Sequence, residues 1–428
     1  MKTKLAPSAP GNGRRLLTYI NAPDIALFVT TIGFLLVALF LLNKRPLIAD
    51  EVFHFDQISR FIEHKWTLNP DTTTVPGYHL LMAAGAVLLK AASFRRLRIL
   101  QTGFGILAIL LFFFCARQFN PRWAVRRTQQ WMVLPILFPF FFILYTDVAG
   151  TAFVLASILF LKWRRNVLSG LMGVIGMAVR QTNIVWFLFL PALRLMETSV
   201  LDGEVSKRMR SIEWRAILRE TWIFLLGIAC FIAFVVWNGG VAVGDANEHP
   251  FPAFYFGNSY FFLFVSFVLF LPLHVAAFRR LWSFLSPKRS VLLLLGISGF
   301  FLLYWLSFTN THDYNQARYS WWLHNKILLF AVATPMHKAL FFIPVVGGLL
   351  SLSCMPLSRG AYALLYPFTF LYLAPSWLIE QRYDLVPLTL LMLMRKQEHW
   401  VTENLLLVYW LLLSIGLLVG FNRGEFFL

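Results

Sequence analysis

Residues 49–57 read Ala-Asp-Glu-Val-Phe-His-Phe-Asp-Gln, placing three carboxylates and a histidine (Asp50, Glu51, His54, Asp56) within seven residues. Only 20 of 428 residues are acidic, so composition alone does not account for such a cluster. A carboxylate in this stretch can take the proton of an attacking hydroxyl if it lies within hydrogen-bond reach. Further charged tips punctuate the chain. They are Asp147, Arg180, Asp245 with His249, His312 and Asp313 with Arg318, and Glu380 with Arg382. Arginine forks grip phosphate bidentately. Carboxylates mixed with arginines suit a substrate that is anionic at a membrane and hydroxylated above it, such as a sugar on a lipid phosphate. Plainer readings stand beside this one. Asp50 and Glu51 also suit the first turn of a helix. Arg180 lies between two apolar runs and serves equally as a structural ion pair or a phosphate contact. Asp245 and His249 can simply order their loop. Asp50, His54 and Asp56 have weak spacing for a metal site, and neither metal nor cofactor is expected.

These residues need a frame, and the frame is apolar. Hydrophobic residues make up 58% of the chain and charged residues 14%, against about a quarter charged in an ordinary soluble protein. Apolar runs near the ~18–20 residues that cross a ~30 Å hydrocarbon core recur throughout. The expected fold is therefore an all-α polytopic membrane bundle with about 12–13 membrane-embedded helices. The net charge of +18 does not indicate nucleic acid, because Lys and Arg fall in short tracts between apolar runs, as in cytoplasmic loops. Cys115, Cys230 and Cys354 all lie inside apolar runs, so no disulfide framework is implied.

Taken in order, residues 1–20 form a basic cytoplasmic tail and Ile25–Leu42 the first span, which puts residues 43–75 on the opposite face. Phe55, Ile58, Phe61 and Ile62 recur at helical spacing and predict an amphipathic helix on the membrane surface. Spans are expected at Tyr78–Leu89, Ile99–Cys115, Trp222–Trp237, Phe261–Phe278, Val291–Phe308, Ala339–Leu352, Tyr362–Leu378, Leu385–Met394 and Leu405–Gly420. Short hairpins carry the Asp147 and Arg180 tips, and residues 194–220 form the longest cytoplasmic loop. One conflict remains. Arg95, Arg96 and Arg98 mark one cytoplasmic turn and Arg117–Arg127 the next, although a single span separates them.

Asp50-Glu51-x-Phe53-His54-x-x-Gln57, followed by Thr73-Thr74-x-Pro76-Gly77, resembles the first lumenal loop of the dolichyl-phosphate-glucose-dependent α-1,2-glucosyltransferases. The likeness continues at Tyr145-Thr146-Asp147, at Arg180-Gln181-Thr182-Asn183-Ile184-x-Trp186, at Gly244-Asp245-x-x-x-His249 and at Glu380-x-Arg382-Tyr383-x-x-x-Pro387. The family's segment before the late motif is represented only by His312-Asp313-Tyr314 and Asn315-x-x-Arg318-Tyr319. The resemblance implies a glycosyltransferase of the C superfamily in the endoplasmic reticulum membrane, catalytic on the lumenal side. The whole chain would form one membrane-embedded domain, with residues 43–75 as the catalytic loop. Glucose would pass with inversion from a dolichyl phosphate to a lipid-linked oligosaccharide. Asp50 is the expected base and Glu51 the alternative. Arg318, Arg382 and Arg180 are expected at the donor phosphate. His54, Asp147, Asp245, His249, His312, Glu380 and Tyr383 are expected around the sugars. A bacterial-type transferase using another polyprenyl-phosphate sugar, in an inner membrane, would look similar. A transporter is disfavoured because no repeated halves are visible.

Overall fold

The computed structural model describes residues 22–200, 214–244, 254–316 and 325–424. Within them the chain forms 17 α-helices and no strand. In order, the first eight are α1 (Ala22–Lys44), α2 (Glu51–Ile62), α3 (Gly77–Leu89), α4 (Phe94–Phe119), α5 (Ala124–Met132), α6 (Thr146–Lys162), α7 (Asn166–Val179) and α8 (Ile184–Val200). Then come α9 (Trp214–Asn238), α10 (Gly257–Leu269), α11 (Leu271–Phe284), α12 (Pro287–Ser307), α13 (Lys326–Ala333) and α14 (Pro335–Ser353). Finally there are α15 (Leu365–Leu373), α16 (Leu385–Met394) and α17 (Trp400–Arg423).

Among the described residues, six helices are long and apolar enough to cross a membrane, namely α1, α4, α9, α12, α14 and α17. Their outer faces stay exposed, as at Leu36, Leu110, Leu292 and Leu412, which suits a lipid surround. The chain is a multi-pass membrane protein. Several expected spans take another form. Tyr78–Leu89 falls in α3, whose 13 residues extend roughly 20 Å, short of a hydrocarbon core. Phe261–Phe278 is broken at Phe270, where α10 and α11 meet at 100°. Pro272 near the start of α11 has no N–H to continue the ladder. The expected spans Tyr362–Leu378 and Leu385–Met394 contain only the short helices α15 and α16, and α16 is buried along its whole length. It is core, which explains why it is apolar all round. The 194–220 loop is shorter than expected, because α8 runs on to Val200 and α9 begins at Trp214. The tail at residues 1–20 lies outside the described residues.

The amphipathic helix expected after the first span is α2. It buries Glu51, His54, Gln57, Ile58 and Phe61 on one face while Val52 stays exposed. The arginine conflict resolves through packing. Arg98 in the second turn of α4 is fully buried and reaches the carbonyls of Leu42, in the last turn of α1, and of Arg45 and Pro46 just after it. The start of α4 therefore lies at the Asp50 end, and Arg98 marks an internal ion pair instead of a cytoplasmic turn. One crossing by α4 then leads to the basic Arg117–Arg127 loop at the far end. A buried network of Arg127, Gln130, Arg395 and Glu403 ties α5, α16 and α17 together there.

Candidate active site

Asp50 occupies the turn between α1 and α2. Ala49 before it adopts a left-handed φ of 48°, which costs a non-glycine residue about 1–2 kcal/mol. Something must hold that turn, and Glu51 does. Its carboxylate accepts from Nε and Nη2 of Arg98 and also from the Leu144 and Ile48 backbone N–H groups at 2.8 and 3.1 Å. Both Glu51 and Arg98 have 0% exposed side chains. With these four partners and no access, Glu51 cannot reach a substrate, so the alternative base is occupied elsewhere. All five Arg98 N–H bonds are taken, by Glu51 and by the carbonyls of Leu42, Arg45 and Pro46. Arg98→Met is expected to lower stability by about 3–5 kcal/mol, the cost of leaving a buried carboxylate unpaired. A melting temperature in detergent that matches the parent would refute this role.

Asp50 itself is turned outward. It stands at the N-cap of α2, yet its side chain makes no capping bond. One oxygen accepts from Arg382 Nη1 at 2.7 Å, and the side chain keeps 23% exposure. Its backbone N–H donates to Tyr145 Oη at 3.1 Å. Arg382 also donates Nε to Glu380 and lies over the Tyr145 and Tyr383 rings at 5.5 and 5.8 Å. One guanidinium thus bridges two carboxylates from opposite ends of the sequence. Burial pushes the Glu380 acid up to about 7, against the pull of Arg382 and with help from Asp50. Between its ordinary 4.5 and about 7, folded Glu380 binds more protons than the unfolded chain. Its contribution to stability is therefore full below the ordinary value and lost as pH rises through 7. The Glu380→Gln variant should lose this decline, so its melting temperature minus that of the parent should grow between pH 5 and 8. A constant difference would contradict the assignment.

Two asparagines aim the Glu380 loop. Asn258, at the start of α10, donates to the carbonyls of Ser376 and Leu378 at 2.9 and 2.8 Å and accepts from the Glu380 N–H at 3.1 Å. Asn315 brackets Ile379 through both its N–H and its carbonyl, each at 2.9 Å. Sequence reading passes over Asn258, and Asn315 enters it only within the Asn315-x-x-Arg318-Tyr319 likeness, with no role attached. Next to Asn315, His312 is buried against Trp377, with ring centroids 4.7 Å apart.

Arg180 and Asp147 form a buried ion pair. Arg180 also lies over Tyr383, 5.6 Å from its ring, so Tyr383 sits between two guanidinium groups. Burial works against the Arg180 charge, but Asp147 outweighs it together with its neighbours, and the guanidinium remains firmly protonated. The neighbouring Gln181 clamps the segment leading to α3. It accepts from Val75 N–H at 3.2 Å and donates to the Thr73 carbonyl at 2.7 Å. Gly77 completes the contact, because a Cβ there would sit 2.2 Å from the Ala178 carbonyl oxygen. The motifs at 73–77 and 180–183 are thus two halves of one joint.

Asp56 is held away from the site by Arg60 and Asn69, both at 2.7 Å. Burial, reinforced by Arg382 and Arg180, lowers His54 to about 3, so it stays neutral. Its Nδ1 meets Nε2 of His79 at 2.9 Å, a partner that sequence reading missed because a lone histidine in an apolar helix reads as core. Asp245, His249 and Arg318 lie outside the described residues. The structure thus brings together Asp50, Arg382, Glu380, Tyr383, Arg180, Asp147 and His54 from four separate stretches. Chemically, the cluster offers a reachable carboxylate beside fixed cations.

Comparisons with known proteins agree in extent with this arrangement. The Dol-P-Glc:Glc(2)Man(9)GlcNAc(2)-PP-Dol alpha-1,2-glucosyltransferase of Candida albicans is 24% identical over 446 residues, covering 93% of this chain and 95% of its own length. The protein of the same name from Mus musculus is 28% identical over 321 residues, or 62% of this chain and 66% of the relative. A Homo sapiens protein of that name is 25% identical over 391 residues, or 79% of this chain and 81% of the relative. No solved structure matches. Residues 44–393, the span from the end of α1 through nearly all of α16, match the DIE2/ALG10 family. The chain belongs to the DIE2/ALG10 family.

Proposed function

We propose that this protein moves glucose from dolichyl-phosphate-glucose to a lipid-linked oligosaccharide and forms an α-1,2 linkage. The relatives' names supply the donor, the acceptor and the linkage. The observation that carries the reading is the Asp50 carboxylate, partly exposed and 2.7 Å from Arg382, at one end of an apolar bundle. A base and a phosphate-binding cation side by side are what transfer from a lipid phosphate to a hydroxyl requires.

An α product from a β-linked donor requires a single inverting displacement. Asp50 accepts the proton of the acceptor hydroxyl as its oxygen attacks the anomeric carbon. The bond to the phosphate oxygen breaks, and its electron pair leaves with the phosphate. That group departs as an anion, so it needs cations more than an acid. Arg382 is the first candidate, followed by Arg180 and by Arg318 from outside the described residues. Asp147, Glu380, Tyr383 and His312, with Asp245 and His249, are candidates for the sugar hydroxyls or for ordering the surrounding loops. The whole chain acts as one catalytic unit, with residues 43–75 as the catalytic loop and with residues 1–20 and 194–220 cytoplasmic. The proposed setting is the endoplasmic reticulum membrane, with the Asp50 end lumenal.

The deciding assay uses purified protein in detergent, a short-chain lipid-phosphate glucose and a panel of glycan acceptors. A new α-1,2-linked glucose is the expected product. Transfer of a different sugar, or none, would overturn the proposal.

A further inference from the structure

The mechanism above leaves a buried histidine pair without a role. His54 sits one helical turn beyond Asp50, its backbone N–H on the Asp50 carbonyl at 3.0 Å. Tyr145 and Tyr78 pack edge-to-face against its ring at 5.5 and 6.0 Å. Its Nδ1 contacts His79 Nε2, while the Nδ1 of fully buried His79 has no hydrogen-bond partner. The Nε2 of His54 is not sealed in this way and keeps solvent access.

Two neutral imidazoles share one proton across that contact, which leaves two arrangements. If His54 donated from Nδ1, His79 would carry its own proton on Nδ1, a buried N–H with no acceptor. If His79 donates from Nε2, the atom left over is a bare ring nitrogen. Orphaned buried N–H groups are rarer than under-satisfied acceptors, and the same ordering applied to a ring nitrogen selects the second arrangement. His54 then carries its proton on Nε2, the atom with solvent access, in the same cluster as Asp50, Arg382 and Arg180.

We propose that His54 Nε2–H donates a hydrogen bond to an oxygen of the donor's phosphate, with His79 as the positioning residue that holds this tautomer. The proposal rests on the transfer reading above and assigns that site one more catalytic residue. As the bond from the anomeric carbon to oxygen breaks, the phosphate gains one negative charge and Asp50 gains the acceptor's proton. A fixed N–H aimed at the gaining oxygen binds more strongly as charge develops, so it favours the transition state over the bound donor.

The test compares the parent with His54→Phe, His54→Gln, His79→Leu and His79→Gln. Calorimetry gives Kd for a short-chain prenyl phosphate and for the same prenyl phosphate carrying glucose. In His54→Phe and His79→Leu the free phosphate, which bears the extra charge, should bind about tenfold or more weaker. The glucosylated form should change less than about threefold, and kcat should fall in step with the loss at the free phosphate. Glutamine at either position restores an amide N–H near the lost Nε2–H and should recover most of both losses. Nitrogen NMR of histidine-labelled parent should show His54 protonated on Nε2. Equal changes in the two Kd values, no change in either, or a proton on Nδ1 would overturn the inference. Absent turnover by the parent, with the two ligands still discriminated, would sink the transfer reading alone.

Discussion

Asp50→Asn is expected to lower kcat for glucose transfer by about 10²–10⁴-fold, the usual range for losing a general base. Donor affinity should hold or improve. Asparagine keeps the shape of the side chain and can still accept from Arg382 Nη1, which in the parent lies 2.7 Å from the carboxylate. One negative charge disappears beside Arg382, so the guanidinium attracts an incoming phosphate more strongly. Folding should be nearly unaffected, because the side chain makes no capping bond and the turn is held by Glu51 and Arg98. Loss in kcat at constant or lower donor KM is the signature of an interaction made only in the transition state. Normal turnover by this variant would remove Asp50 from the role of base.

Arg382→Ala should produce the second large effect, and its pattern should differ. Arg382 is 15% exposed and bonds both Asp50 and Glu380. Its removal takes away a phosphate partner and leaves the Asp50 carboxylate without its ion-pair partner at the site. Truncating one partner of a buried, hydrogen-bonded charge pair costs about 2–5 kcal/mol, equivalent to roughly 30- to 5,000-fold in kcat/KM. Most of the loss should fall on donor KM, because the phosphate loses its cation and meets the uncompensated Asp50 carboxylate instead. Arg382→Lys should recover only part of it. Lysine keeps the charge but lacks the fork that spans Asp50 and Glu380 together. An effect confined to acceptor KM would count against a phosphate role for Arg382.

The largest features of the protein were legible in the chain alone. Long apolar runs with few charges have one stable arrangement in a bilayer, because helices satisfy their own backbone hydrogen bonds. The acidic stretch at 49–57 and the arginines at 180 and 382 stood out for the same reason, since charge is costly beside hydrocarbon and persists where it is used. The amphipathic spacing of Phe55, Ile58 and Phe61 foretold α2 because a helix has a fixed period.

What the sequence could not decide was which of these charges are spent on one another. Asp50 and Glu51 are adjacent and chemically alike, yet one faces Arg382 with partial exposure and the other is sealed against Arg98. That difference depends on a partner 47 residues away in one case and 332 in the other, and no local rule contains it. Arg98 set up the conflict in the topology reading because the positive-inside pattern counts charges without knowing their partners. The same blindness hid Asn258 and His79, which matter only through what packs beside them. Half-length helices also defeated the reading of spans, because an apolar run buried in protein looks like one buried in lipid. The sequence by itself determined a helical membrane protein with one acidic loop of chemical interest. Packing alone leaves Asp50 partly exposed beside Arg382 and seals Glu51 against Arg98, since it sets which charge is desolvated, which is paired and which can still meet a substrate.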